Sequence, residues 1–204
     1  MNYLELLKSR ASTRKFTEKQ ITEKELSDIL LAANSAPVGS NLYKDIHLTV
    51  VQNKEILNKL SEAAVKRSED KKRMKQISGD VKLDDMSDMS TDIETPAKPH
   101  SPFYSAPTVI FVSHRNQDVQ PGIEFSNVAC IVLSMHLAAT DLGLGSVFMW
   151  HILESMREIP ELDNSYLLNF PEGFSPLLGI ALGYPEKPLK TRELRADKIK
   201  TDYM

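Results

Sequence analysis

Apolar residues recur at helical spacing early in the chain. Leu4, Leu6 and Leu7 predict a short helix over 3–9. Thr22-Glu23-Lys24-Glu25 forms a capping box, in which the Thr side chain accepts from an early amide and Glu25 reaches back. Leu26, Ile29, Leu30 and Ala33 follow at the spacing of one helix face. Pro37 and Gly39 end that helix and open a polar loop, Val38-Gly39-Ser40-Asn41. The β-branched run 46–51 predicts a strand. Asn53 then caps a helix carrying Ile56, Leu57, Leu60 and Ala64. From 66 to 102 the pattern fades into Lys, Asp, Ser and Met and ends in Pro96, Pro99 and Pro102. That stretch reads as a frayed helix followed by a long mobile loop, either a disordered surface insertion or a lid over an active site.

Strong periodicity returns after it. Residues 108–113 (TVIFVS) predict a buried strand. Residues 124–142 are apolar nearly all round, which predicts a helix buried in the core or at a subunit interface. Gly143 and Gly145 end it, and 146–150 predict another strand. A short helix over 153–158 precedes Pro160, and 176–183 predict a strand stopped by Gly183 and Pro185. The tail from 186 to 204 is polar and charged, so it hangs free or wraps another surface. With no repeat and no linker, residues 1–204 read as one α+β domain.

Composition mainly excludes. A chain of 204 residues can bury one sizeable core. A net charge of -3 gives no support for a nucleic-acid or membrane-surface partner. The single cysteine, Cys130, makes neither an intramolecular disulfide nor a thiolate metal site, and fits a reducing compartment. No apolar core of a signal peptide opens the chain, and no stretch approaches the roughly 20 apolar residues that span a bilayer. The expectation is a cytoplasmic protein. His47, His100, His114, His136 and His151 sit in no metal-binding pattern, so no metal site is expected. Walker, G-x-G-x-x-G and G-x-S-x-G motifs are missing, which leaves P-loop, Rossmann and serine-hydrolase readings without support.

What remains is basic. Arg10, Ser12 and Arg14 alternate along one face of an extended segment, and Lys190 and Arg192 alternate in the tail. Guanidinium groups present a planar fork that suits phosphate oxygens, and Ser adds a donor. Taken alone, either cluster reads more readily as solvated surface charge.

The order of five motifs changes that balance. Arg10-Ala11-Ser12-Thr13-Arg14-Lys15-Phe16 resembles the R-x-S-x-R-x-F opening of the nitroreductase flavoproteins. Ala36-Pro37-Val38-Gly39-Ser40-Asn41 is similar to their A-P-S-x-x-N loop, and Phe103-Tyr104-Ser105-Ala106-Pro107 to their F-Y-x-A-P strand entry. Leu142-Gly143-Leu144-Gly145-Ser146 is similar to their L-G-L-G-S turn, and Leu182-Gly183-Tyr184-Pro185 to their L-G-Y-P ending. The resemblance implies a three-layer α/β/α fold with a mostly antiparallel central sheet, and a C-terminal tail reaching the partner subunit of a homodimer. It implies FMN at the subunit interface, with Arg10, Ala11, Ser12 and Arg14 on its phosphate and ribityl chain and Lys190 and Arg192 closing from the tail. Pro37, Val38, Gly39, Asn41 and Tyr43 would lie against the flavin from the second subunit. Phe148, Met149, Trp150 and His151 would run along the ring, with the Trp150 or His151 amide at N5. Trp150 reads equally as a core residue and His151 as a plain surface histidine. The cofactor would carry the chemistry, so no catalytic acid or base is assigned. NAD(P)H would be the donor, and a nitroaromatic, quinone or enone the acceptor.

The chain also departs from the family. Many relatives continue Gln-Pro-Trp where this one has Tyr43-Lys44-Asp45, and Gln-Asn where it has Leu133-Ser134. A phenol cannot both donate and accept as an amide does. With the unusual 66–102 stretch, these departures leave other readings open: flavin destruction, reductive dehalogenation or heterocycle oxidation, or a non-enzymatic flavin sensor or store.

Overall fold

The computed structural model describes residues 2–78, 101–115, 121–150, 168 and 170–204. The helix expected over 153–158, His151, and residues 79–100 of the expected lid or loop lie outside the described residues.

Helix α1 (Tyr3–Ser9) is capped by Asn2, whose side chain accepts from the Glu5 N–H at 2.9 Å. Helix α2 (Glu23–Asn34) begins with the expected capping box. The Thr22 N–H and hydroxyl donate to the Glu25 carboxylate at 2.7 and 2.8 Å, and the same carboxylate accepts from the Tyr184 hydroxyl at 2.8 Å. One side chain thus starts a helix and ties it to the far end of the last strand. Helix α2 stops at Asn34, before the expected stop at Pro37. Asn34 Nδ2 and Ser35 Oγ donate to the carbonyls of Leu30 and Leu31, both at 2.8 Å, and so satisfy the last turn. Ala36, which precedes the proline, is disfavoured in a helix.

Strand β1 (Ile46–Val51) and helix α3 (Lys54–Ser78) follow. Asn53 caps α3 by accepting from the amides of Glu55 and Ile56 at 2.9 and 3.2 Å. The helix runs on to Ser78, well into the stretch expected to fray. Strand β2 (Thr108–Arg115), helix α4 (Ile123–Asp141), strand β3 (Gly145–Phe148) and strand β4 (Phe174–Gly183) complete the elements. The strands form one antiparallel sheet in the order β1-β2-β4-β3. Residues 108–114 of central β2 are all buried, so both faces of the sheet are covered. That is the layered α+β architecture the resemblance implied.

Strand β4 starts two residues earlier than expected and carries Pro176. Val112 faces Leu178 while Ser113 faces Pro176, so Leu177 is an extra residue on β4. A bulge of this kind is where a strand tolerates a proline. Strand β3 ends at Phe148 rather than at Trp150.

Helix α4 corrects one expectation. It has 19 residues and a mean hydropathy of 1.4, long and apolar enough by length and composition to cross a membrane. Its apolarity has a local cause: the helix packs on β2, β3, β4 and α2, and buries Val128, Ile131, Val132, Met135 and Ala139.

The shared carboxylate at Glu25 sets a test. Thr22→Ala should lower the stability to urea by about 1 kcal/mol. A loss below about 0.3 kcal/mol would mean that the box does not carry the start of α2.

Candidate functional site

The two basic clusters meet. After α1, Arg10 turns the chain into an extended arm, with φ -64° and ψ 118°. Ser12 forms a parallel bridge with Ser146 at the start of β3, and the Thr13 N–H donates to the Ser146 carbonyl at 2.9 Å. The tail then returns antiparallel along this arm. Thr17 N–H donates to Tyr184 O at 2.9 Å, Glu186 N–H to Lys15 O at 3.2 Å, and Arg192 N–H to Lys8 O at 2.9 Å. Arg192 Nε also donates to Leu7 O at 3.3 Å. Lys190 lies exposed on this return path, and Arg14 and Ser12 are exposed on the arm, with Ala11 half-buried.

Glycine sets how close the arm comes. A Cβ on Gly145 would stand 2.6 Å from Thr13 Cγ2 and 2.8 Å from Thr13 Cβ. Thr13 is branched at Cβ and stiff, so it has little room to yield.

Under the arm sits His136, buried in α4. Arg10 Nη1 lies 2.9 Å from His136 Nε2, and His136 Nδ1 meets Ser146 Oγ. The Phe148 ring stands edge-on to the imidazole at 5.5 Å. Arginine can only donate, so Nε2 must carry a lone pair and Nδ1 the proton, which it gives to Ser146. Burial, then Arg10, then Arg192, push the imidazole down to about 4. The Arg10 guanidinium is itself lowered, first by burial and then by Arg192. Among the described residues, none of Arg10, Arg14, Lys190 and Arg192 makes a salt bridge. Arg10 and Arg192 are thus held by neutral acceptors.

The loop 37–43 is built separately. Gly39 N–H donates to Asn127 Oδ1 at 2.8 Å, and Asn127 Nδ2 donates to His114 Nε2 at 3.1 Å. His114 Nδ1 in turn donates to the Arg115 carbonyl at 2.6 Å. Ser40 and Asn41 take φ of 54° and 58°, a left-handed pair that turns the loop outward. Pro37, Gly39, Asn41 and Tyr43 are exposed and Val38 is half-buried. The Tyr43 hydroxyl donates to the Ala36 carbonyl at 2.9 Å. Its proton is therefore committed to its own loop, and its ring remains outward. Asn127 and His136 are nine residues apart on α4, or about 13 Å at the helical rise. Within one chain the loop and the cations are thus anchored at two stations of one helix.

The third group divides. Phe148 is half-buried against His136, while Met149 is buried and its N–H donates to Gly179 O at 2.9 Å. The Met149 amide and side chain are thus both turned inward. Trp150 is 57% exposed. A cavity of about 430 Å³ opens elsewhere, between Gln52, Asn58, Ser61, Phe103 and Pro107, and none of the expected site residues lines it.

His136, Asn127 and His114 are buried polar positions beside the candidate site that motif reading passed over, and Ser146 was read only as part of a turn. The available signal was a polar residue within an apolar run, as at Asn127 and His136 in α4. A buried polar side chain needs a partner, so each such interruption marks a connection.

Residues 7–184 match the model of the Nitroreductase family. A relative from Methanothermobacter thermautotrophicus, "Putative NADH dehydrogenase/NAD(P)H nitroreductase", is 27% identical over 195 residues, which are 95% of this chain and 83% of that one. A nitroreductase with bound FMN from Bacteroides fragilis superposes with a TM-score of 0.72 at 28% identity, covering 100% of both chains. Another with bound FMN, from Desulfitobacterium hafniense, gives a TM-score of 0.75 at 23% identity over 100% of both chains, a likeness of fold.

The buried imidazole makes a pH prediction. Its folded value of about 4 lies below the ordinary 6.5, so between those values the unfolded chain holds the extra proton. Stability from this group is complete above about pH 6.5 and is lost as the pH falls toward 4, by roughly 3 kcal/mol in all. Denaturation at pH 7 and pH 4.5 should show a steeper loss in the wild type than in His136→Leu. Parallel losses in the two proteins would contradict the burial of a neutral imidazole.

Proposed function

The chain belongs to the nitroreductase family, and from that premise we propose that it is an FMN-dependent oxidoreductase working with NAD(P)H on a small electron-poor acceptor such as a nitroaromatic, quinone or enone. The observation that carries this reading is the meeting of Arg10 and Arg192, without a carboxylate partner among the described residues. The donor set fits a phosphate monoester. Such a group carries about two negative charges and several acceptor oxygens. Arg10, Arg14, Lys190 and Arg192 supply the charge, and the Ser12 hydroxyl and the arm backbone supply neutral donors. FMN, when bound, supplies a carrier that takes a hydride from reduced nicotinamide and passes it to the acceptor.

The protein's own work is binding and orientation. The arm and tail grip the phosphate end, which fixes where the rest of the molecule can lie. Phe148 ends β3 and Trp150 lies exposed two residues on, and in this reading the segment runs along the ring. The outward Pro37-to-Tyr43 loop serves the same ring in a partner copy. A homodimer is supported by the outer stripe of α4, where Phe125 and Leu133 are 43% and 46% exposed. The tail adds Leu194, Ile199 and Tyr203, all exposed and without regular structure. We read 1–204 as one domain of this type, working in the cytoplasm, where the lone Cys130 would remain reduced.

The purified protein should be yellow, or become so on adding FMN, and NADH or NADPH should bleach it without air. A protein that stays colourless with excess FMN would end this reading. Replacing Arg10 and Arg192 together with Ala removes two charged contacts of roughly 1.5–3 kcal/mol each, so FMN affinity should fall about 10²- to 10⁴-fold. The variant should remain folded, because neither guanidinium belongs to the hydrophobic core. Unchanged flavin content would contradict the assignment of these two residues.

A further inference from the structure

Arg10 and Arg192 face a physical difficulty. Burial and then Arg192 disfavour the charge on Arg10, and both guanidinium groups bear on the buried His136. Left free, two like charges on long side chains would swing apart into water. Each is instead restrained. Arg192 is held through its backbone to Lys8 O and through Nε to Leu7 O. Arg10 is held at 2.9 Å by His136 Nε2. All these acceptors are neutral.

The alternative shows why that matters. A carboxylate in place of His136 would hold Arg10 more strongly, by a charged hydrogen bond. It would also cancel the charge, and would compete with an incoming phosphate for the same guanidinium. An imidazole can hold without cancelling, but only in one tautomer. Its Nε2 must be free of a proton, which the donor-only Arg10 requires, and Ser146 Oγ then accepts the proton carried on Nδ1. Ser146 is itself placed by the arm, because its carbonyl accepts from Thr13 N–H. Arm, strand and helix therefore set one proton's position. Phe148 closes the remaining side of the ring and keeps water away.

We propose that His136 is a positioning residue for phosphate recognition: a neutral acceptor, with its Nδ1 proton taken up by Ser146, that aims the Arg10 guanidinium while leaving its positive charge available to the ligand. The inference rests on the reading of the cationic group as the FMN phosphate site. It makes His136 a contributor to the preference for FMN over riboflavin, which has the same ring and no phosphate. It predicts that a neutral acceptor will substitute for the imidazole and that a charged one will fail.

The test is the ratio of riboflavin to FMN dissociation constants, read by quenching of flavin fluorescence at pH 7.5, in wild type and four variants. His136→Leu should reduce the ratio roughly ten- to hundredfold, the worth of one hydrogen bond to a charged group, and leave riboflavin binding near wild type. His136→Gln, which offers an amide oxygen, should restore most of the ratio. His136→Glu should lose at least as much as His136→Leu, although it can pair with Arg10. Ser146→Ala, which removes the acceptor for the Nδ1 proton and so weakens the tautomer that holds Arg10, should move the ratio in the same direction as His136→Leu. A wild-type ratio retained in His136→Glu or His136→Leu would overturn the proposal. If the leucine variant does not fold, the contrast between His136→Gln and His136→Glu decides, and equal ratios in that pair would overturn it. A wild type that binds the two flavins equally would instead refute the phosphate-site reading itself.

Discussion

Two guanidinium groups are drawn from the two ends of the chain, where Arg192 bears on Arg10 and both bear on the imidazole beneath them. Like charges do not gather without a force that compensates for their repulsion. In the protein alone that force is backbone pairing. The tail is hydrogen-bonded along the N-terminal arm from Tyr184 to Arg192, and the arm is bonded to β3 at Ser146. Everything else about the site follows from how that pairing is enforced.

Enforcement comes from small residues and buried polar groups rather than from bulk. Gly145 lets Thr13 approach β3 within a distance that any side chain would forbid. Helix α4 then acts as a ruler. Its apolar face fastens it to the sheet, and two of its buried polar residues, Asn127 and His136, each anchor a different surface segment. A core helix that also positions two loops cannot shift to favour one of them. The site therefore inherits the rigidity of the core, which recognition of a fixed ligand shape needs.

Much of this was legible in the sequence, and the rest fails for identifiable reasons. The helices and strands follow from period, capping and β-branched runs, and Thr22-Glu23-Lys24-Glu25 works as its pattern indicates. The joining of Arg10 with Arg192 was readable through ordered motifs, since spacing alone cannot bring together positions 182 residues apart. The early end of α2 depends on Asn34 and Ser35 turning back onto carbonyls, a choice open to those side chains in several conformations. The span-like composition of α4 could be told from a core helix only by knowing what covers it. His136 escaped because a histidine is recognised from its partners, and Arg10, Arg192 and Ser146 come from three separate elements. The Tyr43 hydroxyl is similar, since only the folded turn shows its proton directed to Ala36.

The proposed site acts through charge, so the protonation state of a bound phosphate reports on it. A free phosphate monoester takes up its second proton near pH 6, at about its ordinary pKa. Held by uncancelled guanidinium groups, it should remain a dianion at lower pH. The ³¹P resonance of protein-bound FMN, followed from pH 7.5 to pH 5, should stay at the dianion position throughout. A resonance that titrates near pH 6, as the free flavin does, would contradict the account.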